Sequence, residues 1–240
     1  MAETPSLFFR HITTQNGLSH SNVNCILQDS HGFTWIGTND GLSRFDGTTF
    51  RVFRHQPGSV QTISGNIIMD ICEDGNGYLW IATADGGLSR YDRHAAPDAQ
   101  FIQFRHKPGD STSIPVNSLN ALLPDKKGHL WLATSGAGLL RFEIATGRFL
   151  KIDPSSRRTC TDICFDSNGI IWGGRQGGSY FKVDPVSLQE KSDPLYLNPY
   201  LKLPHVTITR LYLDQRKDIW MGSWDNAIYR YNNKTKAEEV

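Results

Sequence analysis

Short apolar runs alternate with clusters of glycine, asparagine and aspartate along the whole chain. Runs of this kind, bounded by turn formers, read as strands. In the first stretch the pattern predicts strand a over Val23–Gln28, a turn at Asp29-Ser30-His31-Gly32, and strand b over 33–38. A second turn at 39–41 leads to strand c over 42–46, and a turn opening at Gly47 leads to strand d over 50–54. An aspartate side chain can bond its own turn's backbone, and glycine takes a positive φ without steric cost. The product is a four-stranded antiparallel meander. It is apolar on both faces and must be covered on both. Packing such sheets side by side around an axis does this and leaves only short edges.

The meander repeats. Trp35, Trp80, Trp131, Trp172 and Trp220 recur at intervals of 41 to 51 residues, the period of propeller blades. Asp29-x-x-Gly32-x-x-Trp35 returns as Asp74-x-x-Gly77-x-x-Trp80, Asp125-x-x-Gly128-x-x-Trp131 and Asp166-x-x-Gly169-x-x-Trp172. In the fifth copy Asp214 and Trp220 keep the spacing, with Lys217 in place of glycine. Two residues after each tryptophan the side chain is small: Gly37, Ala82, Ala133, Gly174 and Gly222. Three residues before each aspartate it is aliphatic: Ile26, Ile71, Leu122, Ile163 and Leu211. A base follows in each strand c: Arg44, Arg90, Arg141, Lys182 and Arg230. Repetition in every unit marks the bases as architectural. The tryptophan is expected to fill the space between blades, the small residue making room.

These elements predict an all-β chain, a single β-propeller domain over 1–240. Its blade cores lie at about 23–54, 67–104, 116–152, 159–190 and 206–232. The fifth unit ends without an evident strand d, and the stretch 7–12 resembles one. That stretch either completes the last blade of a closed five-bladed ring or belongs to a larger ring.

Composition narrows the function. Hydrophobic residues make up 38% and charged residues 20%, enough apolar content for a core. The net charge of +1, with no basic run, argues against nucleic acid. No apolar stretch nears the roughly 20 residues needed to cross a bilayer, so direct membrane insertion is not expected. No signal peptide is evident at the start of the chain. Cys160 and Cys164 on one strand stand roughly 13 Å apart, beyond the roughly 7 Å a disulfide tolerates. All four cysteines read as buried apolar side chains. There is no nucleophile elbow, phosphate loop or zinc-protease motif. The chain is therefore expected to bind rather than catalyse, without cofactor or metal. His55 and His106 hold equivalent places in the connectors and read as structural.

The units resemble the two-component regulator propeller repeat. Beyond the tryptophan core, the connectors Phe53-Arg54-His55-Gln56-Pro57-Gly58 and Phe104-Arg105-His106-Lys107-Pro108-Gly109 carry the likeness, as does the opening Asn16-Gly17-Leu18-Ser19. The resemblance covers essentially the whole chain and is most specific in the first three blades. It implies the N-terminal sensor region of a hybrid two-component system, typical of gut Bacteroidetes. It also implies a periplasmic location and recognition of a glycan or oligosaccharide. The parent would be a sensor histidine kinase with seven-bladed propellers and an immunoglobulin-like domain, and these five units would be the first of seven.

A ligand is expected at the mouth shared by the b–c turns and the d–a connectors, on residues that break the repeat. Those residues are Asn39, Asp85, Arg175, Trp224, Asp225, His205 and Arg210. An aromatic face and a guanidinium suit a sugar ring and an acidic group. Two alternatives come from other classes. One is a propeller lyase of the streptogramin-lyase type, which needs a histidine and a glutamate around magnesium. The other is a scaffold that binds only protein.

Overall fold

The computed structural model of the chain describes residues 9, 11–153, 158–177, 179–193, 206–225, 227–235 and 237–239. Five four-stranded antiparallel sheets follow one another, each a simple meander. Blade one is β1 (Val23–Gln28), β2 (Thr34–Thr38), β3 (Gly41–Phe45) and β4 (Phe50–Phe53). Blade two is β5 (Ile68–Glu73), β6 (Leu79–Thr83), β7 (Leu88–Tyr91) and β8 (Phe101–Phe104). Blade three is β9 (Leu119–Pro124), β10 (His129–Thr134), β11 (Gly138–Glu143) and β12 (Arg148–Lys151). Blade four is β13 (Cys160–Phe165), β14 (Ile171–Arg175), β15 (Ser179–Val183) and β16 (Glu190–Asp193). Blade five is β17 (Ile208–Leu213), β18 (Ile219–Ser223), β19 (Ile228–Asn232) and β20 (Ala237–Glu239).

One expectation changes here. The fifth unit has a strand d of its own, Ala237–Glu239, which completes its sheet. The sequence beyond 232 holds no hydrophobic alternation, so the strand left no apolar signal. Residues 7, 8 and 10 of the N-terminal stretch lie outside the described residues.

The Asp-x-x-Gly-x-x-Trp motif is a single hydrogen-bonded unit. One carboxylate oxygen of Asp29 accepts the amides of His31 at 2.9 Å and Phe33 at 3.0 Å, and the other accepts the Trp35 indole at 2.8 Å. Asp74, Asp125 and Asp166 hold Trp80, Trp131 and Trp172 in the same way, at 2.8, 3.2 and 3.1 Å. The aspartate thus fixes both the turn and the rotamer of an indole six residues on. The motif glycines sit at positive φ, and Lys217 is forced to φ 71° in their place. A side chain there costs roughly 1 kcal/mol, so Lys217→Gly is expected to raise the unfolding free energy by about that amount, read as a higher denaturant midpoint at constant slope.

Adjacent blades meet through their innermost strands, β1 on β5, β5 on β9, β9 on β13 and β13 on β17. Each of the first four indoles packs on the following blade: Trp35 on Ile68, Ile71 and Ile81, Trp80 on Leu119 and Leu122, Trp131 on Cys160 and Ile163, Trp172 on Ile208 and Leu211. The residue after each strand-a aliphatic and the first apolar residue of strand c flank the indole, as Leu27 and Leu42 do for Trp35. The four indoles are at most 2% exposed.

The small residue after the tryptophan makes room for a neighbour other than the indole. A Cβ on Gly37 would collide with Cys25 Sγ of the adjoining strand and lie 2.7 Å from Ile68, and one on Gly174 would lie 2.6 Å from the Thr161 hydroxyl and 3.0 Å from Ile208. Its space is shared by the blade's own innermost strand and that of the next blade. The strand-c bases stand cross-strand from the indoles. Arg44 and Arg90 also lie over Phe33 and Tyr78 at 4.5 and 4.4 Å, an architectural role. His55 and His106 brace their connectors equivalently, each bonding a carbonyl eight residues on, that of Ile63 or Ile114.

The arc has two unlike ends. On blade five Trp220 is 37% exposed and its flanking Tyr212 and Ile228 are each 63% exposed. On blade one Ile26 is 66% exposed, although Ile71, Leu122, Ile163 and Leu211 in the same place are buried. Among the described residues, β17 and β1 do not pack as the consecutive innermost strands do.

Candidate functional site

Every innermost strand carries a register shift where it pairs with its neighbour. The unpaired residues are Asn24, Met69, Asn120 and Thr209 in blades one, two, three and five, and Thr161 with Asp162 in blade four. A bulge frees a side chain from the ladder and re-aims it. Here the freed polar side chains turn along the ring. Asn24 Nδ2 donates to the carbonyl of Ile68 at 2.9 Å, and Asn120 Nδ2 to that of Cys160 at 2.6 Å. The Thr161 hydroxyl donates to the carbonyl of Ile208. In blades one, three and four the bulge therefore staples the blade to the next at the inner rim of the arc.

The same residues wall an open cavity of about 400 Å³ at that rim. Met69, Asn120, Thr161 and Thr209 come from the bulges. Thr159 and Thr207 lie two residues before Thr161 and Thr209, just ahead of β13 and β17, and Ser135, Gln176 and Trp224 come from the b–c turns. Arg210 completes the wall. Among the described residues the lining is rich in hydroxyls and amides, holds one cation, and includes no carboxylate. The Trp224 indole is 73% exposed. Arg210 is also exposed; the guanidinium lies 3.5 Å from the carbonyl of Thr209, and among the described residues it forms no ion pair.

Two carboxyls stand just behind this wall. Asp70 follows the bulge of blade two and Asp162 stands second in that of blade four, the place Arg210 takes in blade five. Asp70 accepts the amides of Leu122 at 2.7 Å and Ile71 at 2.9 Å, and Asp162 accepts those of Leu211 at 2.7 Å and Ile163 at 2.9 Å. Burial outweighs these amides and pushes Asp70 up to about 6; burial raises Asp162 as well. A carboxyl raised from 3.8 to about 6 holds its proton more tightly when folded. Its contribution to stability is full below pH 4 and declines as the pH rises through 6. Stability of Asp70→Asn relative to the parent is therefore expected to climb between pH 4 and 7, by up to about 3 kcal/mol. Urea titrations at stepped pH measure the slope.

Of the residues expected at the mouth, the cavity brings together Trp224 and Arg210. Asn39 and Asp85 sit exposed on the b–c turns of blades one and two and do not line it. Asn39 is instead bonded by Asn24 at 2.8 Å. Arg175 is buried, with its guanidinium 4.6 Å above the Phe181 ring, which takes it out of the mouth. Asp225 is held by Ser223 and, at 2.9 Å, by the Tyr229 hydroxyl. His205 lies outside the described residues. The bulge residues were missed because a register shift has no compositional signature. The readable signal was the position two before each strand-a aliphatic.

The thiols take no part. Burial pushes Cys25 and Cys164 up to about 12 and raises Cys72, and none of the four cysteines is in a disulfide. No helix among the described residues is long and apolar enough to cross a membrane.

Comparison with known proteins places this architecture. Residues 17–40, 62–85 and 113–136 match the two component regulator propeller family. Each match opens one residue before Leu18, Ile63 or Ile114, the buried anchors of the first three units. Histidine kinase P4 of Formosa agariphila is 43% identical over 63 residues, 26% of this chain and 5% of the kinase. The extracellular domain of the hybrid two component system BT3049 from B. thetaiotaomicron superposes with a TM-score of 0.79 at 25% identity. That superposition covers 96% of this chain and 31% of the other. The extracellular domain of BT4673 from the same organism gives a TM-score of 0.63 at 22% identity, over 93% of this chain and 33% of that one, a likeness of fold. The chain thus spans about a third of the solved relatives and a twentieth of the curated one. It is a β-propeller whose first three blades carry matches to the two component regulator propeller repeat, and it is similar to the extracellular domain of a hybrid two component system.

Proposed function

We propose that this chain is the ligand-recognition segment of a periplasmic sensor in a hybrid two-component system, and that it takes a glycan or oligosaccharide bearing an acidic group at the channel rim. The observation that carries this reading is the lining of the rim cavity. Asn120, Gln176, Ser135 and four threonines offer donors and acceptors to sugar hydroxyls, and the exposed Trp224 offers an amphipathic face. Arg210 supplies a cation for a carboxylate or sulfate. Further propeller and immunoglobulin-like domains of the parent, and a kinase beyond them, would carry the signal onward.

Thermal-shift titration with paired acidic and neutral oligosaccharides tests this. A ligand that binds the folded state alone raises the melting temperature with concentration. The acidic member is expected to do so. Trp224→Ala should abolish the shift, and Arg210→Ala should erase the preference for the acidic member. Flat melting curves across both series would overturn the proposal.

A further inference from the structure

We infer that the turns of blades one and two form a surface site for a divalent transition-metal ion, held by the imidazoles of His31 and His94. The site lies at the end of the blades opposite the rim cavity, where the a–b and c–d turns emerge. His31 belongs to the a–b turn of blade one and His94 to the c–d turn of blade two. Both are exposed, and their ring centroids stand 6.4 Å apart at an interplanar angle of 63°. A ring ligating through nitrogen has its centroid about 3.2 Å from the metal, so two rings on one ion lie about 5–6.4 Å apart. The pair stands at the outer edge of that range, and a small rotation of either exposed side chain closes it.

The hydrogen bonds around His31 fix its tautomer. The Ser30 hydroxyl has one proton and donates it to Glu73 Oε1 at 2.8 Å. It can only accept from the ring, so His31 Nδ1 carries the proton of their 3.1 Å contact. His31 Nε2 then keeps its lone pair, the form a metal needs. Glu73 is itself fixed by the Ser30 amide at 2.7 Å and by Arg93 at 2.9 Å. An imidazole whose second nitrogen is tied to a carboxylate is the usual support of a metal site, and Ser30 relays that tie here. The His94 ring makes no hydrogen bond among the described residues, while its amide is held by Asp92 at 2.9 Å. Behind these turns Asp29, Glu73 and Asp92 stand against the single cation Arg93, a balance that favours a further cation.

Neither histidine belongs to the repeat. At the three later interfaces the same two places hold Asn76 with Ala145, Lys127 with Val186, and Asn168 with Lys234, none a pair of imidazoles. The two departures meet at one interface, and no ligand spacing marks them because they come together only across two blades. No third His, Cys, Asp or Glu joins the pair among the described residues, so water completes the shell and the site stays open. Imidazole ligands select zinc, nickel or copper over magnesium and calcium.

Calorimetric titration of the chain with Zn²⁺ tests this, together with pulsed electron paramagnetic resonance of the Cu²⁺ form. One zinc ion is expected to bind in the micromolar range, Mg²⁺ is expected to give no heat, and copper should show two imidazole nitrogens. His31→Ala and His94→Ala should each weaken zinc roughly tenfold or more and leave one nitrogen on copper. Both side chains are exposed, so the denaturant midpoint without metal should not move in either. Ser30→Ala keeps both ligands and should weaken zinc several-fold with both nitrogens retained, as expected of a positioning residue. Zinc affinity unchanged in either histidine variant, a copper spectrum indifferent to both, or no zinc binding by the parent below millimolar concentration overturns the inference.

Discussion

Trp131→Ala is expected to lower the stability of the chain by about 3–5 kcal/mol, the range for deleting a fully buried large aromatic. Trp220→Ala should cost no more than about 1–2 kcal/mol, because much of that indole's surface never leaves water. The two residues occupy the same place in the same motif. Trp131 is fully buried between blades three and four, against Cys160, Ile163 and Ile171, and its indole nitrogen bonds Asp125 at 3.2 Å. Trp220 keeps the bond to its aspartate, at 2.9 Å, and lacks the covering sheet. Denaturant titration of both variants reads the contrast as a difference in midpoint at constant slope. Equal losses would mean that the indole acts within its own blade and that packing between blades contributes little.

Asp29→Ala carries the second large effect, about 3 kcal/mol, at the lower end for breaking a buried ion pair. The Asp29 carboxylate is almost fully buried and meets two turn amides, the Trp35 indole and the Arg93 guanidinium, the last at 3.1 Å. Arg93 comes from blade two and also binds Glu73 at 2.9 Å, so the carboxylate joins two blades beneath their indoles. Glu73 remains as a partner in the variant and keeps the cost from the upper end. Burial opposes ionisation of Asp29, but the indole, the amides and Arg93 together outweigh it and hold the carboxyl below its ordinary range. A depressed carboxyl contributes above its unfolded value and loses that contribution as the pH falls through its folded one. The gap between parent and variant should therefore be full at neutral pH and close on acidification below about pH 4. Asp214→Ala, at a solvent-exposed turn that no ion pair links to a second blade among the described residues, should cost clearly less.

Much of this architecture is legible in the sequence because the repeat is written in side chains with one job each. The aliphatic of strand a, the turn aspartate and glycine, the tryptophan and the strand-c base recur in order, and each maps onto a contact seen in the fold. The spacing does not carry the direction of packing. Gly37 reads as relief for its own tryptophan but in fact admits Cys25 from its own sheet and Ile68 from the next blade. The rim was harder still. Trp224 stood out as an aromatic off the repeat, and Arg210 as a cation near the last innermost strand, and both reach the cavity. Arg175 looked equally irregular and is buried over Phe181. A side chain's departure from a consensus says nothing about which face of its strand it leaves by. Met69, Asn120, Thr161 and Thr209 escaped notice because their exposure at the rim depends on backbone register.

The bulges have a consequence for how such a protein changes over time. Their residues stand outside the ladder, so their identity is decoupled from the strand pairing that holds each sheet. Within this one chain the position already accommodates two asparagines, a methionine and two threonines on an unaltered frame. Duplicated units can thus diversify what the rim recognises by single substitutions, while the indole and aspartate that assemble them stay as they are.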